Sequence, residues 1–239
     1  MSETLFISDL HLDASRPNIT ALFLKFLQEQ CPQADALYIL GDLFEVWLGD
    51  DAVNPAVQTI QSALKTLSQA GTPVYVQHGN RDFLMGKKFE ADTGCKILDE
   101  AIVIDLYGTP TLIMHGDTLC TDDVDYQKFR LQMRNPAWQQ QFLSLPIDKR
   151  IEMAKQVREQ NEVAKAGKSY EIMDVNQTTV ESEMLKHKVT HLVHGHTHRP
   201  NVHGFIVNGQ SMQRIVLGDW YEQGSVLRCT QDGCRLENL

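Results

Sequence analysis

No run of eighteen apolar residues occurs in this chain of 239 residues, so no segment is long and apolar enough to span a bilayer as a helix. The N-terminus, MSETLFISD, lacks a basic stretch ahead of its apolar residues and meets an acid at Glu3, so we expect no secretory signal. Cysteine is sparse and odd in number. Cys31, Cys95, Cys120, Cys229 and Cys234 are scattered and read as reduced thiols of a cytosolic protein, although Cys229 and Cys234 are spaced for a hairpin pair. Excess positive charge is missing too: 22 Lys and Arg stand against 31 Asp and Glu, and the net charge of −9 argues against a general nucleic-acid binder. There is no internal repeat and no low-complexity tract. With 15 Gly, 8 Pro and 42% hydrophobic residues, the composition excludes a disordered, collagenous or coiled-coil chain. The length suffices for a full core without disulfide or zinc staples and suits one large domain, or one carrying an insertion.

What is present is a series of short apolar runs, each ending in a polar signature. Thr4 to Ser8 runs into Asp9-Leu10-His11, and Ala36 to Leu40 into Gly41-Asp42. Pro73 to Gln77 runs into Gly79-Asn80-Arg81-Asp82, Thr111 to Met114 into His115-Gly116-Asp117, and Thr190 to Val193 into His194-Gly195-His196-Thr197-His198. Near-continuous apolar runs of this length suit strands covered on both faces. Between the early runs, residues 19–30 and 56–70 place apolar side chains on one helical face, so the alternation predicts βαβ units in a layered α/β fold. Strand C-terminal ends form the functional rim of such folds, and all five signatures fall there. After residue 205 the chain turns to short β pieces punctuated by glycine, which we read as hairpins completing a second sheet.

Residues 121–170 break this alternation. They show two helical patterns, about 122–144 and 146–166, separated by Pro146. They carry nine Lys and Arg against seven acids, whereas the remainder carries a net −11. The segment therefore reads as a mildly basic helical cap over the rim. It is also rich in large apolar residues, including Leu131, Trp138, Phe142, Ile147, Ile151 and Met153, more than two short helices need for docking. Arg158, Asn161, Lys165 and Lys168 share one helical face.

The strand-end signatures supply Asp9, His11, Asp42, Asn80, His115, His196 and His198. Two Asp, one Asn and four His match the ligand count of two metal ions sharing a bridging carboxylate. A mixed nitrogen and oxygen set without thiolate points to Mn²⁺, Fe²⁺ or Zn²⁺ in a catalytic role. Gly41, Gly79, Gly116 and Gly195 flank these residues, where the backbone must pass close to the site or take positive φ. The other histidines, His78, His187, His191, His194 and His203, read as structural or exposed, with His194 placed to support a ligand.

Together these segments resemble the calcineurin-like metallophosphoesterase family, whose motifs read D-x-H, G-D, G-N-H-[DE], a later H-G and G-H-x-H. The resemblance implies a four-layer α/β/β/α sandwich, so the chain is expected to be one domain over 1–239 with 121–170 as its helical cap. It also implies that Asp9, His11, Asp42 and His198 hold one metal, that Asp42 bridges, and that Asn80, His115 and His196 complete the second.

The sequence departs from the family at Arg81, where the usual residue is a histidine credited with serving the leaving group. An alkoxide leaving group, whose conjugate acid has a pKa near that of water at about 16, gains much from a general acid. A phosphate monoester, with a second pKa of roughly 6, departs unprotonated. Arginine in that place therefore suits pyrophosphate cleavage, gripping phosphate oxygens through its planar fork; the bland alternative is an ion pair with Asp82. This variant, with Asp9-Leu10-His11-Leu12, Gly41-Asp42-Leu43-Phe44-Glu45-Val46-Trp47 and Gly218-Asp219-Trp220, resembles the family members that act in bacterial lipid A synthesis. That resemblance implies hydrolysis of a lipid-linked UDP-sugar to UMP and an acylated sugar 1-phosphate. It implies two Mn²⁺ ions and peripheral work on the cytoplasmic face of the inner membrane, with no nucleic acid and no obligate protein partner. Arg81 and Asp42 are then the catalytic residues, and Asn80, Arg81, Asp123, Asn161, Lys165, Lys168 and His196 the substrate-binding positions. Two other readings remain open: a phosphoesterase acting on dinucleoside polyphosphates or another nucleotide sugar, and a non-catalytic scaffold on the same fold.

Overall fold

The computed structural model describes residues 2–166 and 172–239, with side chains left undescribed over 161–166. Eleven strands among these residues form two sheets. The first uses β1 (Thr4–Ile7), β2 (Ala36–Leu40), β3 (Val74–Gln77), β4 (Lys96–Ile97), β10 (Ser225–Thr230) and β11 (Gly233–Asn238), in the order β11-β10-β1-β2-β3-β4. The second uses β5 (Ala101–Leu106), β6 (Thr109–Met114), β7 (His191–His194), β8 (Asn201–Val207) and β9 (Gln210–Val216), in the order β5-β6-β7-β9-β8. Strands β1 to β4 run parallel, as do β6, β7 and β9.

The apolar runs sort by alternation, because successive strand side chains point to opposite faces. Leu5 and Ile7 face outward onto α1 (Pro17–Glu29) and α2 (Pro55–Gln69), joining Phe23, Phe26, Ile60 and Leu64. Phe6 faces inward, where it meets Leu40, Ile113, Val193, Ile215 and Leu227 between the sheets. Leu112, Met114 and Leu192 face the far side, under Val180 and Met184 of α7 (Gln177–His187). The result is the expected α/β/β/α sandwich. Each fully buried Phe, Leu or Ile contributes about 1.5–3 kcal/mol of transfer free energy, so this alternation is the main force holding the rim in place.

Three expectations are corrected, and one stretch had carried none. The terminal hairpin β10–β11 does not join the second sheet; β10 pairs antiparallel with β1, extending the first. Short β pieces carry no signal for which sheet edge they will meet. Cys229 and Cys234, read as thiols, face each other across that hairpin and form a disulfide, while Cys31, Cys95 and Cys120 are free and buried. The pattern over 122–144 is two helices, α4 (Val124–Met133) and α5 (Pro136–Leu143). Asn135 accepts from the N–H groups of Ala137 and Trp138, and Pro136 opens the second helix, a start signal inside the apparent run. Between β3 and β6, α3 (Lys87–Thr93), β4 and β5 went unread, being short or half-exposed.

The cap continues through α6 (Ile147–Ala166). Trp138 and Phe142 stack and pack against the outer core of the first sheet. Polar tethers do the rest. Arg130 donates to buried Asp117 at 2.6 Å and pairs with Glu100. Arg134 donates to the Gly79 carbonyl at 2.9 Å, and buried Arg150 donates to the Leu48 carbonyl at 2.6 Å while pairing with Asp51. The basic lean of the cap, read as provision for substrate charge, is thus partly used in docking.

Candidate metal centre

All seven expected ligands stand at the C-terminal ends of β1, β2, β3, β6 and β7, or in the loops just beyond. Asp9, His11 and His198 bring ligand atoms within 4.8 Å of one another, and so do Asp9, Asp42 and His115. Asp42 Oδ2 lies 3.7 Å from His11 Nε2 and 3.8 Å from His115 Nε2, between the two groups. Asn80 Oδ1 lies 3.3 Å from His115 Nε2 and 3.0 Å from His196 Nδ1. The structure therefore brings the two halves of the expected set together.

The local backbone explains how. Asp9, His11, Asp42, His196 and His198 all have φ between +49° and +69°, a left-handed conformation uncommon for residues with a Cβ. Strands that simply continued would point these side chains alternately away from the rim; the left-handed turns re-aim them. Gly79 and Gly195 serve by close approach. A Cβ on Gly79 would lie 2.1 Å from Asp42 Oδ1, and one on Gly195 2.4 Å from Asp9 Oδ2. Only Gly41 and Gly116 of the four flanking glycines show the positive φ anticipated for them.

Each carboxylate keeps one oxygen for the protein and turns the other inward. Asp9 Oδ2 accepts from Ser8 Oγ and from the His196 N–H, at 2.6 and 2.9 Å. Its Oδ1 is buried without a hydrogen bond of good geometry, facing His198 Nε2 at 3.2 Å. Asp42 Oδ1 accepts from the Arg81 N–H at 2.8 Å. The imidazoles are oriented in the same way. His115 Nδ1 donates to the Leu40 carbonyl at 2.8 Å; His11 Nδ1 faces Glu45 Oε2 at 3.1 Å; His198 Nδ1 faces Asp219 Oδ2 at 3.4 Å. In all three, Nε2 is left toward the carboxylates, the arrangement that suits a metal ligand.

Electrostatics agree. Burial alone would push the His115 imidazolium toward losing its proton, but Asp42, Asp9 and Asp117 outweigh it and raise its pKa to about 9. Burial would likewise raise the Asp9 carboxyl, yet His198, His115 and His11 hold it well below the usual carboxylate range. Bare buried carboxylates are costly without cations beside them. Divalent ions fit that role, since Asp9 Oδ1 and His11 Nε2 are buried without a hydrogen bond of good geometry and the ligand atoms of each group converge within 4.8 Å. The residues present therefore fit two metal ions.

Arg81 does not pair with Asp82. Asp82 is fully buried and accepts from the N–H groups of Gly79, Leu43 and Phe44, at 2.8, 2.8 and 3.3 Å, clamping the two ligand loops together. The Arg81 guanidinium instead lies on the rim, 3.8 Å from Glu45. Asp123 caps α4, accepting from the Tyr126 N–H at 3.0 Å, and the Tyr126 ring stacks on His196. Arg158 reaches from α6 to Glu45 Oε1 at 3.0 Å. Asn161 and Lys165 lie on α6 with side chains outside the described residues, and Lys168 lies outside them altogether.

Several supporting residues were missed by the sequence reading: Glu45, Asp82, Asp117, Asp219 and Tyr221. Tyr221 stacks on His11 at 5.3 Å between centroids. All five lie within a few residues of a strand-end signature or in or beside the Gly218-Asp219-Trp220 segment, which was the available signal. Of the remaining histidines, His194 is buried, donates from Nδ1 to the Gly195 carbonyl and accepts from Arg214 on Nε2, as expected of a structural residue beneath the ligands.

A calcineurin-like phosphoesterase family model matches residues 3–200. A UDP-2,3-diacylglucosamine hydrolase of Stenotrophomonas maltophilia is 53% identical, over 99% of this chain and 98% of its own length. One from Escherichia coli O7:K1 is 52% identical, over 98% and 97%. A solved archaeal phosphodiesterase covers 99% of each chain at 14% identity, with a TM-score of 0.49. The chain belongs to the calcineurin-like phosphoesterase family, as its strand-end motifs indicate.

Proposed function

We propose that this protein is a metal-dependent pyrophosphohydrolase that cleaves UDP-2,3-diacylglucosamine to UMP and 2,3-diacylglucosamine 1-phosphate, a step of lipid A synthesis. The observation that carries the reaction type is a guanidinium, not an imidazole, on the rim beside the ligand clusters. Near-full-length identity to hydrolases of that name, cap included, supports the substrate.

Asp9, His11, Asp42 and His198 would hold one ion, and Asn80, His115 and His196 the other, with Asp42 between them. When bound there, two divalent ions, which we assign as Mn²⁺, would supply Lewis-acid charge to the phosphoryl oxygens and activate water for attack at neutral pH. The chain does the positioning. Asp42 keeps one oxygen on the Arg81 N–H, which ties the ligand loop to the arginine loop. The Arg81 guanidinium donates to phosphoryl oxygens as charge develops on them, and the departing phosphate needs no protonation. No side chain is required as leaving-group acid, which agrees with histidine being absent from position 81.

Asn80, Arg81 and His196 are assigned to the diphosphate, and Asp123, Asn161, Lys165 and Lys168 to the remainder of the substrate along the cap. The cap exposes Val124, Leu131, Leu143, Ile147, Ile151 and Met153, with Leu131 69% exposed. Such a surface suits acyl chains and contact with the cytoplasmic face of the inner membrane, as a peripheral protein. Among the described residues no helix is long and apolar enough to cross a membrane. We treat the chain as one domain, 1–239, with 121–170 as its cap. The test is direct: purified protein with Mn²⁺ and UDP-2,3-diacylglucosamine should yield UMP and the acylated sugar 1-phosphate. Faster turnover of a dinucleoside polyphosphate than of the lipid-linked substrate would overturn the assignment.

A further inference from the structure

Three candidate ligand imidazoles have Nδ1 set against an acceptor, but the acceptors differ in what else they hold. The Leu40 carbonyl belongs to its own strand, and Asp219 also accepts from the Tyr221 N–H within its own loop. Glu45 is different. Its carboxylate is 11% exposed and meets groups from three separate segments. Oε2 lies 3.1 Å from His11 Nδ1, in the loop after β1. Oε1 lies 3.8 Å from Arg81 Nη1, in the loop after β3, and 3.0 Å from Arg158 Nη2, on cap helix α6.

The backbone carrying Glu45 is pinned on both sides. Its N–H donates to the Leu12 carbonyl at 3.2 Å, Leu43 and Phe44 donate to Asp82, and the Trp47 N–H donates to the Arg81 carbonyl at 3.2 Å. A fixed carboxylate with one oxygen on a ring nitrogen and the other on two guanidinium groups does more than balance charge. With Arg158 half-exposed, the Glu45–Arg158 pair adds little stability by itself, so its consequence is positional.

We propose that Glu45 is a positioning residue with two separable roles. Through Oε2 it fixes the His11 ring with Nε2 toward the metals. Through Oε1 it holds Arg81 on the rim and seats α6 over it by way of Arg158. The role toward the metals rests on the functional reading above, whereas the seating of the cap stands on geometry alone.

Two readouts need no substrate. Mn²⁺ titration of metal-free full-length protein, followed by the electron paramagnetic resonance of free Mn²⁺, reads the His11 role. Subtilisin cleavage within α6 reads the seating of the cap. Glu45→Ala should weaken Mn²⁺ binding by about 10–100-fold, the usual effect of removing a partner that orients a ligand, and should speed cleavage. Glu45→Gln keeps an oxygen for His11 but loses the charge, so it should bind Mn²⁺ nearly as wild type yet be cleaved as fast as Glu45→Ala. Arg158→Ala should leave the Mn²⁺ titration unchanged and speed cleavage, with no further increase when combined with Glu45→Gln. If Glu45→Gln behaves as wild type in both assays, or if its effect on cleavage adds to that of Arg158→Ala, the proposal is wrong. Thermal melts of each variant separate these outcomes from misfolding. Failure of the wild-type protein on UDP-2,3-diacylglucosamine would remove the substrate assignment and leave both readouts as they stand.

Discussion

At the rim of the sandwich, the chemistry-bearing side chains leave loops anchored by the core of two sheets, and both candidate-ligand aspartates and the His11, His115 and His198 rings are each set against a backbone or side-chain group. In the cap, three helices expose apolar residues and rest on a few aromatic contacts, among them Trp138 and Phe142 on the outer core and Tyr126 on His196, and on arginine tethers. The rim is thus placed by many cooperative contacts and the cap by a few individual ones. Reaction chemistry needs atoms fixed to a fraction of an ångström, while a surface that accommodates long flexible chains does not. On the proposed function the two regions answer to those two standards, and each can be tested against the other.

The strongest test removes the residue between the two ligand groups. Asp42→Ala should reduce phosphohydrolase activity to background on lipid-linked and small esters alike, since both depend on the rim. Chelation should do the same, and Mn²⁺ should restore the chelated wild type but not the variant. Retained activity in metal-free protein would end the two-metal reading.

Arg81→Ala should come next, with kcat/KM lower by about 2–4 kcal/mol in transition-state terms, the loss expected for one charge-assisted donor to a developing oxyanion. Mn²⁺ binding should persist, because the Arg81 side chain is not a ligand. Near wild-type kinetics would reduce Arg81 to a partner of Glu45.

Arg150→Ala tests the cap alone. The loss of contacts to the Leu48 and Leu145 carbonyls should cost about 1–2 kcal/mol; Asp51 is largely exposed and adds little. Protease cleavage of the cap should rise and turnover of the lipid-linked substrate should fall, while hydrolysis of bis(p-nitrophenyl) phosphate, which needs only the rim, stays near wild type. An equal fall in both activities would show the two regions to be one mechanical unit.

The smallest effect concerns His194. Burial, with Arg214 beside it, depresses its pKa to about 3, from 6.5. The unfolded chain takes up this proton as pH falls from 6.5 toward 3 and the native state does not, so His194 costs stability progressively through that window. His194→Gln should therefore lose less melting temperature than wild type between pH 7 and pH 5. An identical loss would place the acid sensitivity elsewhere.

These regions also differ in how far they could be read from sequence. Strand positions such as Phe6, Ile113 and Val193 were legible because strands covered on both faces leave near-continuous apolar runs, and the ligands because Asp, His and Asn at strand ends are chemically specific. Glu45 and Asp219 were not: an acid three residues from a ligand looks like any surface carboxylate until the turn is known, and Asp219 lies far along the chain from His198, the ring it faces. In the cap, Arg130, Arg134 and Arg150 read as charge for a substrate. Distinguishing a docking arginine from a binding one requires knowing what lies opposite, and Asp117, Leu48 and Asp51 are distant in sequence. Pro136 was a visible break, yet apolar residues on both sides concealed it.

The left-handed backbone at Asp9, His11, Asp42, His196 and His198 has a consequence for the molecule's resistance to heat. Each such residue carries a conformational cost of about 1 kcal/mol or more that glycine would not incur. The backbone at these five turns therefore sits above the energy that glycine would give it there. Under selection for thermal tolerance alone, glycine at any of these five positions would relieve backbone strain while abolishing a ligand. Durability and turnover pull this rim in opposite directions, and the functional sequence is the less durable one.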